Sequence, residues 1–155
     1  MHRAPTGLFY GLPLLLSGAG PQVQARPATR VWQADIQIRT LEVTKTKTAV
    51  TTRVVVYTEH DDDARDAHLL VLLPVGVGIE RLARGCTATP GTPNIPALRA
   101  AVTCQLGDIP DRGFREVMIT TTRPADNNPR RIGVFTYSLT PDPAPGNNYA
   151  ERTIP

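Results

Sequence analysis

The chain predicts an all-β fold, an immunoglobulin-like antiparallel β-sandwich of about seven to eight strands, and three observations carry that expectation. Its apolar positions are rich in β-branched Val, Ile and Thr, which suit a pleated surface better than a helix. Fifteen Pro and 12 Gly punctuate them, so the regular segments are short. Where apolar and polar residues alternate, they do so with the period of two that places successive side chains on opposite faces of a strand. The 155 residues suffice for one domain with a sizeable core, and are too few for two once a leader is set aside.

The first 25 residues read as a secretory signal peptide. His2 and Arg3 make a short basic start, Leu8 to Ala19 is apolar, and Val23-Gln24-Ala25 offers small residues ahead of a cut before Arg26. A membrane anchor is the alternative, but the apolar run is shorter than the roughly 20 residues a spanning helix needs, and Pro13 and Gly18 interrupt it. Leu16-Ser17-Gly18 begins like a lipoprotein signal, yet Ala19 stands where lipidation requires a cysteine. The mature form is therefore expected to be extracytoplasmic and without a membrane span, with residues 26–31 a flexible arm and residues 32–155 the β-sandwich domain.

Strands follow in order. Trp32, Ala34, Ile36 and Ile38 alternate with Gln33, Asp35, Gln37 and Arg39, predicting a first strand with one buried and one wet face. It reads as a sheet edge. Val50 to Thr58 holds Val54-Val55-Val56, too apolar for an edge, and is expected to be central. His68 to Leu73 forms the next strand, ended by Pro74, Gly76 and Gly78, and Ile79 to Ala83 starts another. Residues Thr87 to Ala97 contain Pro90, Gly91, Pro93 and Pro96 and predict a long loop. Further strands fit Ala101 to Leu106, Phe114 to Thr122, Ile132 to Leu139 and Tyr149 to Ile154.

Three stretches then resemble a known family. Leu73-Pro74-Val75-Gly76-Val77, Val102-Thr103-Cys104-Gln105-Leu106-Gly107-Asp108-Ile109-Pro110, and Thr140-Pro141-Asp142-Pro143 with Asn147-Asn148-Tyr149-Ala150 are similar, in order and spacing, to the bacterial "domain of unknown function eleven" surface-repeat family. Ala34-Asp35-Ile36 resembles its first strand, whereas Glu59 to Asp63 departs from its usual turn. The resemblance implies an exported β-sandwich used as a spacer, stalk or surface module, and implies no catalytic residue.

Charge and motifs narrow the function. Without the leader, 16 Lys plus Arg face 14 Asp plus Glu, a net +2, and the basic residues are scattered, so nucleic-acid binding is not expected. Cys86 and Cys104 are the only cysteines, and in an exported chain they are expected to form a disulfide; a redox pair or metal thiolates are the alternatives. Asp61, Asp62, Asp63 and Asp66, flanked by His60 and His68, are a calcium candidate against the blander expectation of a solvated acidic turn, because the spacing of an EF-hand is missing. Ser138 is the only serine beyond the leader's Ser17 and has no glycine elbow, which argues against a serine hydrolase. Trp32 is expected either to anchor the core or, if exposed, to contact a partner at the sheet edge. The leading expectation is a non-catalytic surface or periplasmic module with a structural, adhesion or partner-binding role and no cofactor. A small calcium- or ligand-binding protein and a secreted hydrolase are the alternatives.

Overall fold

The computed structural model describes residues 30–59, 62–89, 100–124 and 130–154. The expected signal peptide, most of the arm, His60, Asp61 and the greater part of the Pro-rich loop lie outside the described residues. Nine strands occur among the described residues: β1 (Asp35–Lys45), β2 (Ala49–Glu59), β3 (Ala64–Leu72), β4 (Ile79–Arg81), β5 (Cys86–Thr89), β6 (Ala101–Ile109), β7 (Phe114–Thr122), β8 (Arg131–Tyr137) and β9 (Tyr149–Thr153). They build two antiparallel sheets, ordered β1-β2-β7-β4 and β5-β6-β3-β8-β9, and the protein is an all-β immunoglobulin-like sandwich. The first order matches the ABED sheet of that architecture, and β3-β8-β9 matches its CFG sheet, widened by β6 and β5.

The core lies between the sheets. In β2 the alternation buries Val50, Thr52, Val54, Val56 and Thr58, and this strand sits between β1 and β7 as its Val run predicts. Leu69, Val71 and Leu73 meet it from the opposite sheet with Val102, Ile132 and Val134, all fully buried. β1 is a sheet edge, as expected, but its apolar phase changes partway. Ile36 and Ile38 share a face, the register shifts between Ile38 and Thr40, and Leu41 then takes the buried position. A bulge supplies the extra residue needed to keep both halves facing the core.

Three expectations are corrected. Thr87 to Thr89 do not begin a loop: they continue β5, held to β6 by the register Cys86↔Cys104 through Thr89↔Ala101. Ala64 to Asp66 are not turn but the start of β3, where two register shifts and a left-handed Asp66 (φ 47°) mark a bulged strand end. Asp35 is not on a wet face. It is buried, because the short 3-10 turn Pro145–Asn147 places the Asn147 side-chain amide 2.8 Å from its carboxylate, which accepts that hydrogen bond.

Cys86 and Cys104 are disulfide-bonded across neighbouring strands. The Gln105 N–H donates to the Gly85 carbonyl at 3.0 Å, so the two cysteines form a non-hydrogen-bonded pair, the pairing that brings opposed side chains closest. Gly85 has a left-handed φ of 79° and a side chain there would start 3.1 Å from the Gln105 carbonyl, so glycine is needed to lead the chain into β5.

Candidate functional site

The outer face of the five-stranded sheet follows from the register. Inward Leu69 and Val71 in β3 leave His68, Leu70 and Leu72 facing out, opposite Tyr137, Phe135 and Gly133 of β8. Beyond them, Phe135 faces Tyr149 and Gly133 faces Glu151 of β9. On the other side, His68, Leu70 and Leu72 face Gln105, Thr103 and Ala101 of β6. Phe135, Tyr137 and Tyr149 are thus brought to one face, and all three are exposed.

These rings are held in place. Tyr137 stacks on His68 with centroids 5.1 Å apart and planes 9° from parallel, and Phe135 lies 6.0 Å from Tyr137 at 25°. The His68 Nε2 sits 3.2 Å from Asp66, which fixes the imidazole edge. Tyr149 lies across Gly133: a side chain added at Gly133 would start 3.3 Å from the Tyr149 hydroxyl. That hydroxyl donates to Glu151, whose carboxylate also takes Arg131 at 3.3 Å. Three neighbouring outward aromatics are thus tied to their surroundings in different ways: Tyr149 by a hydrogen bond to Glu151, Tyr137 by stacking on His68, and Phe135 by its contact with Tyr137.

Trp32 lies at one end of this sheet. It precedes β1, is 56% exposed, and is not the core anchor that the alternation with Ala34 and Ile36 predicted. Instead the Arg65 guanidinium lies 5.7 Å from its ring centroid, within cation–π reach. Trp32, Asp63, Arg65, Leu139, Thr140 and Pro141 line an open cleft of about 490 Å³. Thr140 braces it: its hydroxyl donates to the Asp63 carbonyl at 2.9 Å and accepts the Arg65 N–H at 3.1 Å. The Leu139 N–H donates to the Arg65 carbonyl, tying the segment after β8 to the start of β3.

The described acidic residues are not gathered around a common point. Asp62 is buried and accepts the Gln33 N–H at 3.0 Å, while Asp63 accepts the Asp111 N–H at 3.0 Å. Asp66 faces His68, and its own N–H is taken by Asp108. The Asp62 and Asp63 carboxylates each tie together separate chain segments, and no group of three or more His, Cys, Asp or Glu among the described residues is placed to hold a metal ion. Of the calcium candidate Asp61, Asp62, Asp63 and Asp66, Asp61 lies outside the described residues. Ser138 donates to the Thr140 carbonyl at 3.0 Å in the segment leaving β8.

The sheet opposite carries a different surface. Arg53 in β2 bridges Glu42 and Glu116 at 3.1 and 2.9 Å, and the hydrogen bond from Arg53 holds the Glu116 carboxyl below its ordinary value. Such exposed charge networks are the ordinary solvated face of a sandwich. Phe135 and Tyr137, two residues apart, share one face of β8 by the alternation of the sequence alone, but that Tyr149 lies beside Phe135 follows only from the register of β8 and β9.

No protein-family profile matches the chain, and no curated protein does. Among solved structures it is similar to a glycoside hydrolase family 20 exo-β-N-acetylglucosaminidase from Vibrio harveyi, with 7% identity and a TM-score of 0.40. The match covers 80% of this chain and spans only 17% of that one. It is also similar to a PapD-like domain of human CEP192, with 10% identity and a TM-score of 0.29 over 86% of this chain and 90% of that one. Neither likeness bears on activity.

Proposed function

We propose that the domain is a non-catalytic, exported binding module whose working surface is the outer face of the five-stranded sheet. One observation carries this reading. Phe135, Tyr137 and Tyr149 are exposed on one face, with Tyr137 stacked on His68 and Tyr149 hydrogen-bonded to Glu151, and a contiguous exposed apolar patch of this kind marks an interaction surface. Restrained aromatics lose little freedom on binding and are enriched among the residues that dominate interfaces. The Trp32 cleft extends the surface at one end, so this residue is read as a contact and not as a core anchor.

Export is supported by the leader-like first 25 residues, by the Cys86–Cys104 disulfide, which persists best in oxidising compartments, and by the resemblance to the surface-repeat family. Among the described residues no helix is long and apolar enough to cross a membrane. In this reading the bridge is structural, the carboxylates of Asp62 and Asp63 brace the fold, and the partner is met outside the cytoplasm.

The test uses the exported form, whose N-terminus is expected near Arg26, incubated with envelope material from the cells that make it. Retention is expected to fall in the Tyr137→Ala/Tyr149→Ala double variant while its circular dichroism stays that of the parent. Undiminished retention in that folded variant, or an intact Met1 terminus on a cytoplasmic product, contradicts the reading.

A further inference from the structure

Resting on that reading, we infer that the ligand of the aromatic face is a neutral polysaccharide chain. A pyranose ring is amphipathic in a particular way: its C–H bonds form weakly polar faces, and its hydroxyls radiate from the rim. A surface that takes it must offer aromatic rings, flank them with uncharged donors and acceptors, and avoid stranded charge.

The outer face has these three properties. Its rings are Phe135, Tyr137 and Tyr149. Its uncharged polar groups stand in the same cross-strand rows: Thr87 and Thr103 are in register with Leu70, Phe135 and Tyr149, and Gln105 with His68 and Tyr137. Its charges are matched locally, Arg131 with Glu151 at 3.3 Å and His68 beside Asp66 at 3.2 Å. An acidic or basic partner would find no complementary field here, while a neutral one loses no solvation of bare charge.

Geometry favours a linear ligand. The row from Thr87 to Tyr149 crosses all five strands of the sheet, β5, β6, β3, β8 and β9. At about 4.8 Å per strand spacing this is roughly 19 Å, a path suited to several consecutive sugar units. Gly133 is part of the device, since the missing side chain leaves the place where Tyr149 rests, and Glu151 then sets its hydroxyl. A protein partner is the competing occupant, and the experiment below separates the two.

The experiment measures retention of the mature domain on cellulose and chitin, and its retardation in gels containing xylan or mixed-linkage glucan. At least one of these four is expected to bind. Tyr149→Ala and Tyr137→Ala should each weaken that binding about tenfold or more, the loss produced by truncating a ring that dominates an interface. Phe114→Ala on the opposite sheet should leave it unchanged. Gly133→Val, which removes Tyr149 from its place without removing the ring, should weaken binding as Tyr149→Ala does. Binding to none of the four, with envelope retention still dependent on Tyr137 and Tyr149, overturns the polysaccharide and leaves the binding module standing. Polysaccharide binding unaffected by the ring variants also overturns it, as does self-association that these variants abolish.

Discussion

Trp32 is exposed because β1 begins three residues after it, at Asp35, so the alternation that buries Ala34 and Ile36 has no sheet to act through at position 32. The sequence pattern extends further than the hydrogen bonds that give it meaning, and of the two roles the sequence leaves open for Trp32, its exposure argues against the core anchor. Leu69, by contrast, is fully buried in the middle of β3. Trp32→Ala is expected to change unfolding free energy by no more than about 0.5 kcal/mol, the usual range for a surface substitution. Leu69→Ala is expected to cost about 2–5 kcal/mol through lost burial and a residual cavity. Urea denaturation of the two variants checks both values, and a loss above about 2 kcal/mol at Trp32 returns that residue to the core.

At the scale of elements, the disulfide pins β5 to β6 at the edge of the wider sheet. β5 has only four residues, three of them exposed, and contributes little core of its own. Its pairing therefore depends on the covalent bridge more than on burial. Closing a loop of this length stabilises by about 3 kcal/mol in the chain-entropy account. The Cys86→Ser/Cys104→Ser variant is expected to unfold at lower urea by a corresponding amount while keeping the core strands, and the folded parent should show no thiol to labelling without reductant. Labelling of both sulfurs in the unreduced protein contradicts the pairing. Most strands were legible because Val, Ile and Leu alternate over long enough stretches to fix both period and face, as in Val50 to Thr58. β5 was not, because Thr87, Ala88 and Thr89 carry no apolar alternation and stand beside a Pro-rich segment. The bulge in β1 was readable in principle: Ile36 and Ile38 lie on even positions, Leu41 and Val43 on odd ones. Asp66 was hidden for the opposite reason, since a charged residue with a left-handed backbone looks like turn and yet occupies a strand.

For the whole molecule, the two sheets divide the labour of the surface. The β1-β2-β7-β4 sheet presents the Glu42–Arg53–Glu116 network, with exposed Met118 opposite Arg53 and exposed Phe114 opposite Tyr57, over whose ring Arg39 lies. The other sheet gathers Phe135, Tyr137 and Tyr149 into one restrained stripe. Sequence patterning could specify both faces as outward, but it could not distinguish them, because the distinction lies in which outward residues of different strands become neighbours. Only the register of β3, β8 and β9 does that. Side-chain oxidation footprinting of the domain, free and bound to envelope material, tests this asymmetry most directly. Binding is expected to protect Phe135, Tyr137 and Tyr149 and to leave Phe114 and Met118 as reactive as before. Protection of Phe114 and Met118 with the aromatic stripe unchanged would contradict the account.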